Sequence, residues 1–200
     1  MTTRNNRTAD HNVKPLFLER WSPRAYDSSI MPDEDLNCLF EAARWAPSAN
    51  NQQPWNFVYA KREDDHWQAF LDCLMDGNQR WAKNTSVLMF VISRKFGLSS
   101  SGERRAHGSH SFDTGAAWMA LALQAKELGY DAHGMGGIHK DKIATLLELN
   151  LDDYAIEAAI AVGKRAPSET LPEELAAREV PSQRKPISAF AFNGKFDPQI

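Results

Sequence analysis

Cysteine is scarce in this chain. Cys38 and Cys73 are the two present among 200 residues, and they form no C-x-x-C pair. That excludes a disulfide scaffold and a thiolate zinc site. Both are set among helix-forming apolar residues and are expected to be buried free thiols of a reducing compartment. Long apolar runs are missing too, since none approaches the ~20 residues of a membrane span. The polar stretch 1–11 has no apolar core of the kind a secretory signal needs. The expected location is therefore cytoplasmic, with no membrane partner. Positive charge is not in excess: 23 basic residues face 26 acidic ones, for a net charge of −3. A dedicated nucleic-acid binder shows a basic surplus, so that class is excluded, as is a polybasic membrane patch.

Catalytic signatures are equally thin. There is no G-x-x-x-x-G-K-[ST], no G-x-S-x-G and no H-E-x-x-H, and Gly134-Met135-Gly136-Gly137 does not complete G-x-G-x-x-G. His107 and His110 are spaced H-x-x-H in a Gly/Ser-rich stretch without a completing ligand set, so they read as solvated loop histidines and no metal is expected. His133 and His139 flank a glycine turn and are candidates for lining a pocket. Glu41 and Glu127 read as solvated helix faces paired with basic neighbours. No side-chain set typical of hydrolysis or phosphoryl transfer is left. Redox chemistry through a bound flavin needs none, because the cofactor carries it.

What is present is an ordinary globular composition, 42% apolar and 24% charged, long enough to bury roughly 70% of its unfolded surface. Residues 1–12 are polar and expected to be a disordered tail, with 13–200 as one domain. Pro32-Asp33-Glu34-Asp35 opens a helix, with Leu36, Leu39, Phe40 and Ala43 on one face, and Pro47 stops it. Strands are expected over 57–60, 87–92 and 155–162, the second buried on both faces. Helices are expected over 64–74, 112–128 and 140–149. Residues 96–111 read as a loop and candidate lid, and 132–138 as a glycine turn. The pattern suggests a layered sheet of mixed strand direction with helices on both faces. After residue 163 the composition shifts: five of the ten prolines follow Ala166, alongside Phe190, Phe192 and Phe196. This reads as an arm lying on something.

Two constellations stand out. Arg20-Trp21-Ser22-Pro23-Arg24 gathers two guanidiniums and a hydroxyl, a set that can fork onto a phosphate. Ala46-Pro47-Ser48-Ala49-Asn50-Asn51-Gln52-Gln53-Pro54-Trp55 packs hydrogen-bonding side chains between two prolines, where amides can donate to and accept from a heterocycle edge.

In these two blocks the sequence resembles the FMN-dependent nitroreductase family. Asn78 with Trp81, the glycines of 134–138, and Arg184-Lys185-Pro186 before an expected final aromatic strand extend the likeness over roughly residues 15–197. The resemblance implies an α+β fold with a central mixed, mostly antiparallel sheet flanked by helices, in an intertwined homodimer whose 164–200 arm packs on the partner subunit. It implies FMN as cofactor and NADH or NADPH as reductant. It implies that Arg20, Trp21, Ser22 and Arg24 contact the flavin phosphate, ribityl chain or pyrimidine edge, and that Asn78 bonds the pyrimidine side. Met135, Gly136 and Gly137 bring backbone to the ring, with the Gly136 N–H toward N5, and Arg184 completes the phosphate cradle. Pro47, Ser48, Ala49 and Asn51 reach the flavin of the other subunit. Two departures are visible: Trp81 stands where some relatives have Lys, and Gly136 where some have Glu. The implied activity passes hydride from NAD(P)H to a nitroaromatic, quinone or related small-molecule acceptor by ping-pong turnover. Reductive dehalogenation, substrate oxidation and a non-catalytic flavin sensor are the alternatives.

Overall fold

The computed structural model describes residues 5–99 and 101–197. A short helix α1 (Pro15–Glu19) is followed by α2 (Asp33–Arg44), strand β1 (Trp55–Lys61), helices α3 (Trp67–Asp72) and α4 (Asp76–Ala82), and β2 (Val87–Arg94). Then come β3 (Phe96–Leu98), β4 (Arg104–Ala106), the long α5 (His110–Glu127), β5 (Asp131–Met135), α6 (Lys140–Leu146), β6 (Tyr154–Gly163) and the single turn α7 (Glu173–Ala176). The main sheet has the order β1-β2-β6-β5. Every pairing in it is antiparallel, which sharpens the expectation of a mostly antiparallel α+β sheet.

The buried strand explains the two-sided architecture. Leu88, Phe90 and Ile92 of β2 join a core with Phe70, Leu74, Trp81 and Ile143. Val87, Met89 and Val91 point the other way, into a core with Leu36, Leu39, Ala117 and Leu121. Successive side chains of a strand alternate faces, so a continuous apolar run serves two helical layers. Each such buried side chain contributes about 1.5–3 kcal/mol of transfer free energy. Helix α2 buries Leu36, Leu39 and Ala43 as its periodicity requires, and carries Asp33, Glu34 and Asp35 in its first turn. Cys38 falls on the opposite face and is exposed, whereas Cys73 is buried. The expectation of two buried thiols therefore fails for Cys38, because helical phase outranks composition. Helix α5 ends before Gly129, whose φ of +81° suits the reversal.

Three further expectations are corrected. Residues 96–111 are no plain loop: β3 and β4 pair as a hairpin, turned by Gly102 at φ +81° and covered by the Arg104 guanidinium 4.0 Å from the Phe96 ring. Three-residue strands are too short to print a period-2 pattern. The start of the glycine turn is strand β5, which pairs with β6 from Asp131↔Gly163 to Met135↔Ala159. No strand follows β6 among the described residues, so the final aromatic strand is absent there. Short 3₁₀ turns and α7 take its place, in a stretch where repeated prolines remove backbone donors. No described helix is long and apolar enough to cross a membrane.

Candidate functional site

The segment 20–26 runs extended, and its burial alternates. Trp21, Pro23 and Ala25 are buried, while Arg20, Ser22 and Arg24 are half-buried. Period-two geometry thus turns the two guanidiniums and the hydroxyl to one side. That side is a cavity of about 280 Å³ lined by Arg7, Arg20, Trp21, Ser22, Arg24, His133, Arg178, Val180, Ser182 and Arg184. Five arginines from three parts of the chain meet there. Burial, and then the neighbouring Arg184, lowers the pKa of both Arg7 and Arg20, the mark of a positive cluster short of counter-charge. Glu179 is the acidic anchor beside it. Its Oε1 accepts the N–H groups of Arg24 at 2.6 Å and Ala25 at 2.9 Å, and its Oε2 lies 3.9 Å from the Arg24 guanidinium.

His133, on β5, closes the cavity. Its Nδ1–H donates to the Pro23 carbonyl at 2.7 Å, and its ring packs 4.7 Å from Trp81. Burial, with Arg24 and Arg20 adding to it, pushes its pKa down to about 4. The ring is neutral at pH 7, with Nε2 as an acceptor. His139, by contrast, is the residue before α6 and lines no described cavity. Trp81, which stands where the resemblance puts Lys in some relatives, is 1% exposed and is a packing residue.

Beyond β5 the chain turns at Gly136 and Gly137. Asn78, on α4, donates from Nδ2 to the Gly137 carbonyl at 2.9 Å. A Cβ on Gly137 would lie 2.7 Å from that same nitrogen, whereas a Cβ on Gly136 would meet nothing within 4 Å. A Cβ on Gly137 thus displaces the Asn78 amide from its hydrogen bond, and Gly136 borders open space. The Met135 side chain is 3% exposed and belongs to the core, so backbone alone faces outward at this corner.

The amide loop forms a separate place. Asn50, Asn51 and Gln53 have φ of 51°, 55° and 47°, the left-handed region that non-glycine residues rarely enter. The loop is held there from outside: Ser48 Oγ accepts the Gln53 N–H at 3.0 Å, and Asp113 Oδ2 accepts the Ala49 N–H at 3.0 Å. Asp113 also accepts from His107 Nε2 at 2.9 Å and Ser109 Oγ at 3.1 Å. Burial alone would raise this carboxyl, but those hydrogen bonds outweigh it and hold the pKa below its ordinary value. Ala49, Asn50 and Gln52 line a cavity of about 550 Å³ whose other wall is the hairpin, from Gly97 to Ser109. It shares no lining residue with the arginine cavity.

Of the histidine pair, His107 is buried and His110 half-buried, so neither is a freely solvated loop residue. His107 is 7% exposed and hydrogen-bonded to Asp113, and His110 Nδ1 lies 2.7 Å from Ser93 Oγ and 3.6 Å from Glu157. Sequence spacing could not show Asp113 and Glu157 folding onto them. No cluster of three or more metal-ligating side chains occurs among the described residues. Glu41 behaves as expected, paired with Arg44 at 2.6 Å on an exposed helix face.

The family model for the nitroreductase family matches residues 18–80 and 64–164. The chain belongs to the nitroreductase family. It is 26% identical over 193 residues to the oxygen-insensitive NADPH nitroreductase of Helicobacter pylori (strain J99), covering 78% of this chain and 89% of that protein. A crystal structure described as an oxidoreductase containing FMN is 53% identical, with a TM-score of 0.94 and full coverage of both chains. A nitroreductase family protein from Clostridium difficile 630 is 20% identical with a TM-score of 0.69, covering 93% of this chain and 100% of that one, and shows the shared fold. Within this family member the matched stretch carries Arg20, Ser22, Arg24, Asn78 and the glycine corner. Arg7, Arg178 and Arg184 reach the same cavity from outside it. Sequence reasoning named Arg20, Arg24 and Arg184 but missed Arg7 and Arg178, which lie in stretches without a motif, and Asp113, whose role depends on partners far along the chain.

Proposed function

We propose that this chain is an FMN-dependent NAD(P)H oxidoreductase of nitroreductase type, with the arginine cavity as the phosphate end of the cofactor site. The observation that carries the reading is the meeting of Arg20, Ser22, Arg24 and Arg184 on one cavity with no carboxylate among the described residues that line it. A cavity with that donor set suits a phosphate dianion and a hydroxylated chain, and it suits neither a metal nor a cationic ligand. The glycine corner fits as well: open space beside Gly136 and a side-chain clamp on Gly137 leave backbone free to approach a flat ring.

Bound FMN supplies a two-electron carrier that takes hydride from NADH or NADPH and gives it to an acceptor. Arg20, Arg24 and Arg184 hold the phosphate and offset negative charge on the ring system, an electrostatic task for preorganised donors. His133, neutral and locked by Pro23, offers Nε2 as an acceptor and adds no charge. Asn78 fixes the glycine corner against α4. No side-chain acid or base is needed, so reductant and acceptor use one space in turn. A nitroaromatic or quinone is the acceptor class.

The second wall of that space comes from another subunit in this reading. Pro47, Ala49 and Asn51 are exposed, and their loop, through Ala49, Asn50 and Gln52, stands on a different cavity from the arginines. Trp45, Phe112 and Phe196 are 75%, 82% and 77% exposed, apolar area that a partner copy can cover. The arm 164–200 packs on that copy, and the working unit is a homodimer. The test is direct. Purified protein is yellow, oxidises NAD(P)H with added menadione or nitrofurazone, and elutes in light scattering at twice the chain mass. A colourless protein that neither takes up FMN nor oxidises NAD(P)H overturns the activity, and a monomer that still holds FMN overturns the shared site.

A further inference from the structure

We infer that Arg7, from the segment ahead of α1, is a clamp of the same phosphate site, so that this segment is a working part of cofactor binding. The inference rests on the reading of the arginine cavity given above and adds a residue that lies outside the family-matched stretch.

The geometry of Arg7 carries it. Its Nε donates to the Ser182 carbonyl at 2.8 Å, and its Nη1 donates to the carbonyls of Arg20 at 2.8 Å and Leu18 at 3.2 Å. Three carbonyls from two distant stretches thus hold one guanidinium against the cavity wall. Its Nη2 has no acceptor among the described residues, and neither does the guanidinium have a carboxylate partner there. The two residues ahead of it are tied down as well. Asn5 Nδ2 donates to the Leu18 carbonyl at 2.8 Å, Asn5 Oδ1 accepts the Arg7 N–H at 3.1 Å, and Gln183 Nε2 donates to the Asn6 carbonyl at 3.2 Å.

A cation held this way beside Arg20 and Arg184 raises the energy of the empty cavity; burial first, and then those two arginines, lower the pKa of Arg7. An anion reverses the sign of the effect. With a phosphate dianion in the cavity, Arg7 joins Arg20 to Ser182 across the ligand, so binding draws the N-terminal segment, the 20–24 strip and the 178–184 stretch together. Arg7 also fixes the Arg20 carbonyl and hence the backbone that aims the Arg20 side chain. It is a positioning residue as well as a charge.

The experiment compares FMN with riboflavin, which lacks the phosphate, by flavin fluorescence quenching on the apoprotein of wild type, Arg7→Gln and Arg7→Lys. Arg7→Gln is expected to raise the Kd for FMN about tenfold, the loss of one charge-assisted contact, and to leave the riboflavin Kd unchanged. Arg7→Lys, which keeps the charge and loses the fork, is expected to recover part of the difference. An unchanged FMN-to-riboflavin ratio in Arg7→Gln, or an equal loss for both flavins, overturns the inference. Failure of the wild type itself to bind FMN overturns the underlying reading instead. If Arg7→Gln does not fold, a full wild-type ratio in Arg7→Lys together with salt-independent FMN binding overturns the clamp.

Discussion

The arginine cavity and the hairpin cavity place charge in opposite ways. In the first, Arg7, Arg20 and Arg184 crowd together, and burial, then the neighbouring Arg184, lowers the pKa of Arg7 and Arg20. Behind the wall of the second, the buried carboxylate of Asp113 is surrounded by donors from His107, Ser109 and the Ala49 N–H. An unpaired cluster is unfavourable until an anion arrives, so it belongs to ligand binding. A paired one is satisfied within the chain, so it belongs to shape: it holds the amide loop in a backbone conformation that the loop would not adopt alone.

The strongest way to break this contrast is to remove each centre in turn. Asp113→Ala strands a buried histidine and a backbone N–H, and is expected to cost about 3 kcal/mol of stability in urea unfolding. Arg184→Ala, at an exposed residue, is expected to leave the apoprotein within about 0.5 kcal/mol of wild type. Equal losses would end the distinction. Next in size is a pH effect at the arginine cavity. The pKa of His133 is about 4 in the fold against an ordinary 6.5, so between these values the unfolded chain binds a proton that the folded one refuses. Stability is complete above pH 6.5 and falls as pH drops toward 4, by about 3 kcal/mol. His133→Gln flattens that part of the profile, and a profile unchanged by it would show that His133 is not the group responsible. Arg184→Ala is then expected to weaken FMN by about 1.5–3 kcal/mol, read by flavin fluorescence, with Asp113→Asn leaving the FMN-to-riboflavin ratio untouched. The smallest effect separates the two glycines. Gly137→Ala displaces the Asn78 amide and costs about 1 kcal/mol of apoprotein stability, while Gly136→Ala costs less than about 0.5 kcal/mol.

Much of the architecture could be read beforehand because it rests on local periodicity. The run Val87–Ile92 announces a strand covered on both faces, and Leu36, Leu39 and Ala43 announce the face of α2. The R-x-S-x-R cluster was legible as a set of donors, whereas its turning to one side shows only in the extended run of residues 20–24. What escaped reading was whatever depends on distant partners or on very short elements. The hairpin of β3 and β4 is too brief for a pattern. Asp113 looks like an ordinary first-turn acid until His107 folds over it. The asparagines of the amide loop were read as ligand donors, and their tolerance of the left-handed region, the other reason for their presence, shows in the dihedral angles.

By itself the sequence determined the longer elements, the buried central strand and the family to which the chain belongs, since each follows from residue spacing along a few turns or strands. The tertiary structure decided which charges meet. It brought Arg7, Arg178 and Arg184 from the two ends of the chain to the strip at 20–24, and it kept the amide loop on a separate cavity. Coulomb energy depends on distance in space, and sequence separation says nothing about that distance for residues 7, 20 and 184.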